Sequence, residues 1–209
     1  MLEKKDHLIV LFKEIQGGNT HAFDELFLRY HDKLLAFALQ YVKQLESAEE
    51  ITSELFVKIW LKRAMLTNIL NPEIYLFISI KNACLNWLRS NHKKSRLVTV
   101  SSDEQSLDIV SAYQTTIAEE KELSRILDLI VAKLPEQRRL IFKLIKEQGL
   151  KRHEVAEILG ISIRTVENQL HKAIITLAEA ISGYLGYDPR KKTSKTQKTF
   201  LITSLFFLW

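Results

Sequence analysis

A chain of 209 residues with six glycines and three prolines is too poor in turn formers for a strand-and-turn architecture, and its single cysteine excludes an intrachain disulfide. A hydrophobic share of 46% is enough to build one or two buried cores. The formal net charge of +5 and the pI of about 9.2 suit a polyanionic partner without requiring one. Cys84 lies in an apolar helical pattern, as a buried small hydrophobe would, and a lone thiol fits a reducing cytoplasm. Met1 to Asp6 is charged and lacks the apolar core of a signal peptide. No window approaches the roughly 20 apolar residues of a membrane-spanning helix, so the expected location is cytoplasmic.

In chain order, residues 8–16 predict a short lead-in helix (domain segment 1–18) closed by Gly17-Gly18. Asn19 or Thr20 can cap the next helix, whose apolar residues Ala22, Phe23, Leu26, Phe27, Tyr30, Leu34, Leu35, Ala38 and Val42 recur at helical spacing to about Lys43. A third helix is expected to start near Ser47, with Glu49 and Glu50 in its first turn complementing the dipole. Its inward face is Ala48, Ile51, Leu55, Phe56, Ile59 and Trp60. Asn71-Pro72 then reads as a cap followed by proline at the first helical position. The fourth helix runs to about Asn91 with Tyr75, Ile78, Cys84, Leu85 and Leu88 inward, and closes in the basic run Arg89, His92, Lys93, Lys94 and Arg96. These elements make a first domain of residues 19–96.

Residues 97–117 show no sustained period and read as a polar linker. A second helical domain, residues 118–182, opens with the stripe Ile126, Leu127, Ile130, Val131 and Leu134. Pro135 restarts the chain as a helix with Leu140, Ile141, Leu144 and Ile145 inside, and Gly149 ends it. The next stretch, to Ala173, is the most informative of the chain. Val155, Ala156, Ile158 and Leu159 give one short helix an apolar face. Gly160 can take the positive φ that stops it, and Ser162 can cap the helix that follows. Val166, Leu170, Ala173, Ile174 and Leu177 face inward, leaving Arg164, Thr165, Glu167, Asn168, Gln169, His171 and Lys172 outside. Either this is an ordinary αα-hairpin with a polar outer face, or it is a helix-turn-helix whose second helix fits the major groove, where Arg, Asn and Gln read base edges. The tail, residues 183–209, is basic and then apolar. It suits contact with an anionic membrane surface, a groove of this protein or one on a partner, and a tail disordered in isolation fits as well.

Three stretches, in order, resemble the extracytoplasmic-function class of RNA polymerase sigma factors of the sigma-70 family. Ala48 to Trp60 is similar to the family's acidic helix, Tyr75 to Arg89 to its −10-reading helix, and Leu134 through Leu177 to its −35-reading domain. The fold expected is all-α, with a region 2-like four-helix domain and a region 4-like helix-turn-helix domain on a flexible linker. Departures are Ser47 in place of the usual Asp, Ser53 in place of Gln, Lys151 in place of a Ser/Thr cap, and Gln169 where Arg or His is common. The missing cap at Lys151 costs about 1 kcal/mol unless another group supplies it.

The resemblance implies that Glu49, Glu50, Glu54 and Lys58 meet core polymerase at the β′ clamp helices, with the β flap as a further contact. It implies that the −10 element is met by Lys81, Asn82, Asn86, Arg89, Lys93 and Lys94, with Asn68 and Asn71 of the preceding loop receiving a flipped base. For Asn71 a plain helix cap fits equally well. The −35 element falls to Arg164, Thr165, Asn168, Gln169 and Lys172, with Arg152 and Arg138 on phosphates. Promoter DNA, core polymerase and an anti-sigma factor are the implied partners. No residue set has the spacing of a catalytic, zinc or phosphate-loop site, so neither enzymatic activity nor a cofactor or metal is expected. Two rivals remain at this point: a dimeric operator-binding regulator, and a membrane-associated adaptor acting through its tail.

Overall fold

The computed structural model describes residues 2–95, 125 and 127–184. The chain divides into two compact units, Met1–Ile109 and Val110–Trp209. The linker and the tail beyond Tyr184, with the expectations placed on them, lie outside the described residues, as does Ile126.

The first unit holds α1 (Leu2–Gln16), α2 (Thr20–Val42), α3 (Leu45–Leu61), a 3-10 segment (Arg63–Asn68) and α4 (Pro72–Ser95). α1 begins six residues earlier than the apolar pattern predicts. Its face Leu8, Leu11, Phe12 and Ile15 is buried in the unit, and α1 packs on α2, the 3-10 segment and α4. Gly18, at φ 86°, turns the chain, and the Asn19 carboxamide oxygen accepts from the backbone N–H groups of His21 and Ala22 at 3.0 and 3.3 Å. α2 ends at Lys43, a non-glycine residue in the left-handed region at φ 58°.

α3 starts at Leu45, two residues before the expected Ser47, so Glu46 rather than Glu49 is the acidic residue of its first turn. Gln44 stands at the cap without a side-chain bond to the helix backbone, and its carboxamide oxygen accepts from the Ser47 hydroxyl at 3.3 Å instead. The buried face is as expected except that Trp60 is half-buried and Thr52 is fully buried. Burial of a hydroxyl is tolerated because Thr52 Oγ1 donates to the Ala48 carbonyl at 2.7 Å.

The inward stripe of α4 also differs from expectation. Ile74, Leu76, Phe77, Ile80 and Cys84 are buried, whereas Tyr75, Ile78, Leu85 and Leu88 are only half-buried. Ring pairs join these helices: Phe37 to Phe77 at 5.2 Å, Phe27 to Phe56 at 4.9 Å, Phe23 to Trp60 at 5.1 Å and Phe12 to Tyr75 at 6.2 Å between centroids. Tyr30 is buried and donates its hydroxyl to Glu73 at 3.1 Å, tying α2 to the first turn of α4. Burial, then the Glu73 carboxylate, pushes the Tyr30 phenol well above its ordinary range.

The second unit contains a helical segment at 127–132, then α5 (Glu136–Lys146), α6 (Arg152–Leu159) and α7 (Ile163–Tyr184). In α5, Ile141, Phe142 and Leu144 are buried, while Leu140 and Ile145 are only half-buried, again a shift of the expected stripe. Arg139 caps the preceding segment by donating to the Ala132 carbonyl at 2.6 Å. α7 runs through Gly183, two residues past the expected end at Ser182. Among the described residues no helix is long and apolar enough to cross a membrane, and no group of His, Cys, Asp and Glu is placed to hold a metal.

Candidate nucleic-acid and polymerase interfaces

The turn between α6 and α7 is built from three local pieces of chemistry. Gly160, at φ 70°, reverses the chain. The Gly160 N–H bonds the Glu157 carbonyl at 3.3 Å and the Ile161 N–H bonds the Ala156 carbonyl at 3.1 Å, which pairs two carbonyls of the last turn of α6. Ser162 Oγ then accepts from the Thr165 N–H at 3.0 Å and opens α7. At the other end of α6, where Lys151 cannot accept a bond, the Glu154 carboxylate reaches back to the Lys151 N–H at 2.8 Å. Glu154 is thus the compensating half of a capping box, and it is buried. Packing of Val155, Ala156 and Ile158 against Val166, Leu170 and Ala173, all buried, fixes α7 by its inner face.

The outer face of α7 is sorted by what its side chains touch. Arg164, Asn168 and Lys172 follow one another at steps of four residues and are exposed, with His171 exposed beside them. The remaining polar residues are engaged. The Thr165 and Ser162 hydroxyls are 2.8 Å apart. On one flank Arg152 lies 3.6 Å from Glu167, and on the other Arg138 Nε donates to Gln169 Oε1 at 3.3 Å. The structure therefore brings Arg164, Thr165, Asn168, Gln169, Lys172 and Arg152 to one region, but in two classes: projecting, and bonded to a neighbouring element. Burial, and to a smaller extent the nearby Arg152 guanidinium, hold the Lys146 ammonium below its ordinary range.

In the first unit Asn82, Asn86 and Arg89 share one exposed face of α4, and Arg89 donates to the Asn86 carbonyl oxygen at 3.3 Å. Lys81 is half-buried at the edge of that face. Lys93 and Lys94 fall in the last turns of α4, but their side chains, and that of Asn68, lie outside the described residues. Asn71 is half-buried, next to a buried Pro72.

Glu49, Glu50 and Glu54 are all exposed on α3, and Glu54 pairs with Lys58 at 2.6 Å within the helix. The acidic strip continues into two apolar residues that sequence reasoning passed over: Val57, 55% exposed, and Leu61, 71% exposed. Their signal was present, because both positions fall off the buried Ile51–Leu55–Ile59 stripe. An acidic strip that grades into exposed aliphatics is suited to contact with a basic, partly apolar surface.

Two family descriptions match the chain in order: "Sigma-70 region 2" over residues 26–94 and "Sigma-70, region 4" over residues 124–177, together more than half of the chain. Among curated proteins it is similar to the RNA polymerase sigma-H factor of Pseudomonas aeruginosa, at 21% identity over 84% of this chain and 94% of that protein. It is also similar to the ECF RNA polymerase sigma factor SigW of Bacillus subtilis, at 21% identity over 77% of this chain and 89% of that one. Among solved structures the sigma factor RpoE in complex with the anti-sigma factor NepR, from Bartonella quintana, shares the fold with a TM-score of 0.52 at 21% identity, over 77% of this chain and 96% of that one. With both regions present in order on an all-α chain whose α4 and α7 expose polar faces, the protein belongs to the sigma-70 family of RNA polymerase sigma factors, in its extracytoplasmic-function class.

Proposed function

We propose that the protein acts in the cytoplasm as a dissociable initiation subunit that docks on core RNA polymerase and directs it to promoters with a particular −10 and −35 element. The observation that carries this reading is the pairing, in one chain, of a region 2 and a region 4 match. In it, α3 holds the β′ clamp helices through Glu49, Glu50 and Glu54, with Val57 and Leu61 adding apolar contact, and the second unit meets the β flap. Asn82, Asn86 and Arg89 of α4 face the −10 strand, with Lys81, Lys93 and Lys94 on phosphates. Asn68 and Asn71 recover the few kcal/mol spent in unstacking a base. Arg164, Asn168 and Lys172 enter the −35 major groove, while Arg152 releases Glu167 for a phosphate.

Neither contact set need be strong alone, because holding both on one polymerase multiplies their effect. The work is binding and deformation of DNA, with no chemical step assigned to the chain. An anti-sigma factor, of the kind seen bound to RpoE, is the regulator this reading expects.

The test separates the two halves. Reversing Glu49, Glu50 and Glu54 to Lys should weaken binding to core polymerase at least tenfold. Replacing Arg164, Asn168 and Lys172 by Ala should leave core binding intact and abolish initiation that depends on a −35 element. Unchanged core affinity after the triple reversal would refute the docking assignment.

A further inference from the structure

α7 carries one acidic side chain in its first two turns, Glu167, and the next along the helix, Glu179, lies about three turns further on. Glu167 follows Ile163 and precedes His171 at steps of four residues, and all three are exposed. Its partner is the Arg152 guanidinium, at the first residue of α6, 3.6 Å away, and each of the two side chains is about half exposed. A charge-assisted hydrogen bond is shorter, about 2.8 Å, so this pair is loose and open to exchange. A phosphate can therefore take Arg152 from Glu167. A carboxylate is then left on a helix that enters a groove walled by phosphates, and it is repelled there unless it meets a hydrogen-bond donor.

We infer that Glu167 is a further specificity-determining residue: it makes one −35 position select cytosine, by accepting a hydrogen bond from the N4 amino group. An ionised carboxylate is acceptor-only. Neither oxygen carries a hydrogen, so no rotation turns a donor toward the base. The major groove offers two base donors, cytosine N4 and adenine N6. Guanine N7 and O6, and thymine O4, would set acceptor against acceptor and leave both desolvated and unpaired. Adenine holds its N7 acceptor beside N6, so the second carboxylate oxygen meets a lone pair there, whereas the cytosine edge presents N4 alone. The order expected is cytosine, then adenine, then guanine and thymine. The charge that is unfavourable beside phosphates thus discriminates against sequences that supply no donor. The inference rests on α7 being the −35 helix, and it adds which base chemistry that helix accepts on its α6 flank.

The experiment is transcription by reconstituted holoenzyme, full-length chain with core polymerase, on a promoter library with a randomised −35 element, at two salt concentrations. Wild-type enzyme should prefer cytosine, on one strand at one position, over guanine and thymine by about tenfold, the order of discrimination given by a good side chain–base contact. Glu167→Gln keeps the shape and adds a donor. It should raise adenine at that position to parity with cytosine or above, because an amide pairs with both N6 and N7, and leave the other positions unchanged. Arg152→Ala should lower transcription on all sequences alike, make the salt dependence shallower and keep the cytosine preference. Replacing that cytosine by 2-pyrimidinone, which lacks the amino group, should lower wild-type transcription about tenfold more than it lowers that of Glu167→Ala. A uniform rise in Glu167→Gln with every base preference unchanged would make the residue a plain repulsive charge and overturn the inference. An equal loss with 2-pyrimidinone in both proteins would overturn it too, as would a wild-type preference for guanine or thymine at the position that Glu167→Gln alters. Failure of wild-type holoenzyme to select any −35 sequence would instead overturn the underlying −35 assignment, and this inference with it.

Discussion

The two units solve the same problem, holding a polar helix face rigid, with different materials. The first unit is built on rings. Phe12, Tyr30, Phe37, Phe56 and Phe77 are buried among its helices, and α4 is held by a wide apolar contact, so its outer residues can be exposed with little bonding of their own. Among the described residues of the second, buried side chains are aliphatic apart from Phe142 and the capping Glu154. Its α6–α7 pair is fixed by a turn glycine, a cap on each helix and lateral polar bonds from α7 to Arg138 and Arg152. A small aliphatic core leaves more of the geometry to the backbone, so the second unit should be sensitive to changes that remove little volume. The first should be sensitive mainly to loss of a ring.

The largest effect expected is from Phe77→Ala, whose side chain is fully buried against Phe37. It should destabilise the first unit by about 3–5 kcal/mol. Unit-resolved hydrogen exchange should show protection lost in residues of α2 and α4 but kept in α5–α7. Ile158→Ala, at a fully buried site of α6, should cost about 2–4 kcal/mol. The reverse pattern of protection is expected for it. Equal loss of protection in both units after either change would mean that the units do not fold separately, and the contrast between them would fail.

Gly160→Ala sharpens the comparison. Beyond its own chain neighbours no atom lies within 4 Å of the Cβ it would add, so its cost, about 1–2 kcal/mol, comes from the left-handed backbone alone. Thermal unfolding of the second unit should register it. Glu154→Ala should cost about 1 kcal/mol through loss of the cap at Lys151, and Lys151→Ser in the same chain should restore most of it. If the double variant is no more stable than Glu154→Ala, the carboxylate has a larger part in the fold than capping.

The smallest effect is an alkaline loosening of the first unit. Burial pushes the Tyr41 phenol from its ordinary 10.0 up to about 12, and Tyr30 moves in the same direction. Because these folded-state values exceed the unfolded ones, their contribution is complete below about pH 10 and is lost as pH rises through the folded values, near 12 for Tyr41. Alkaline titration should therefore loosen the first unit before the second. Cys84, buried with its thiol pushed up to about 11, provides the probe. It should be inert to thiol reagents at neutral pH and become reactive with the opening of the first unit.

How legible each unit was follows the same division. The backbone devices of the second are local chemistry, so Gly160 and Ser162 could be read directly from their neighbours. The Glu154 cap was also local, three residues from Lys151, but its signal is concealed by a lysine where a cap residue is normally sought. The register of α4 was not legible, because Ile74, Tyr75, Leu76, Phe77, Ile78 and Ile80 are apolar around most of the helix. Periodicity then cannot choose the inward arc, and packing against Phe37 and Tyr30 does. Residues proposed to face DNA or polymerase were legible as polar positions off a buried stripe. Which of them are bonded to a neighbour was not: Arg138 and Gln169 meet only through the packing of α5 on α7.

The most direct test of the central claim is transcription in vitro by core RNA polymerase of the encoding organism on its genomic DNA, with and without the full-length protein. The account predicts new transcripts whose start sites are preceded by shared −35 and −10 elements. Active core polymerase and folded protein that neither associate nor yield a new start site would contradict it.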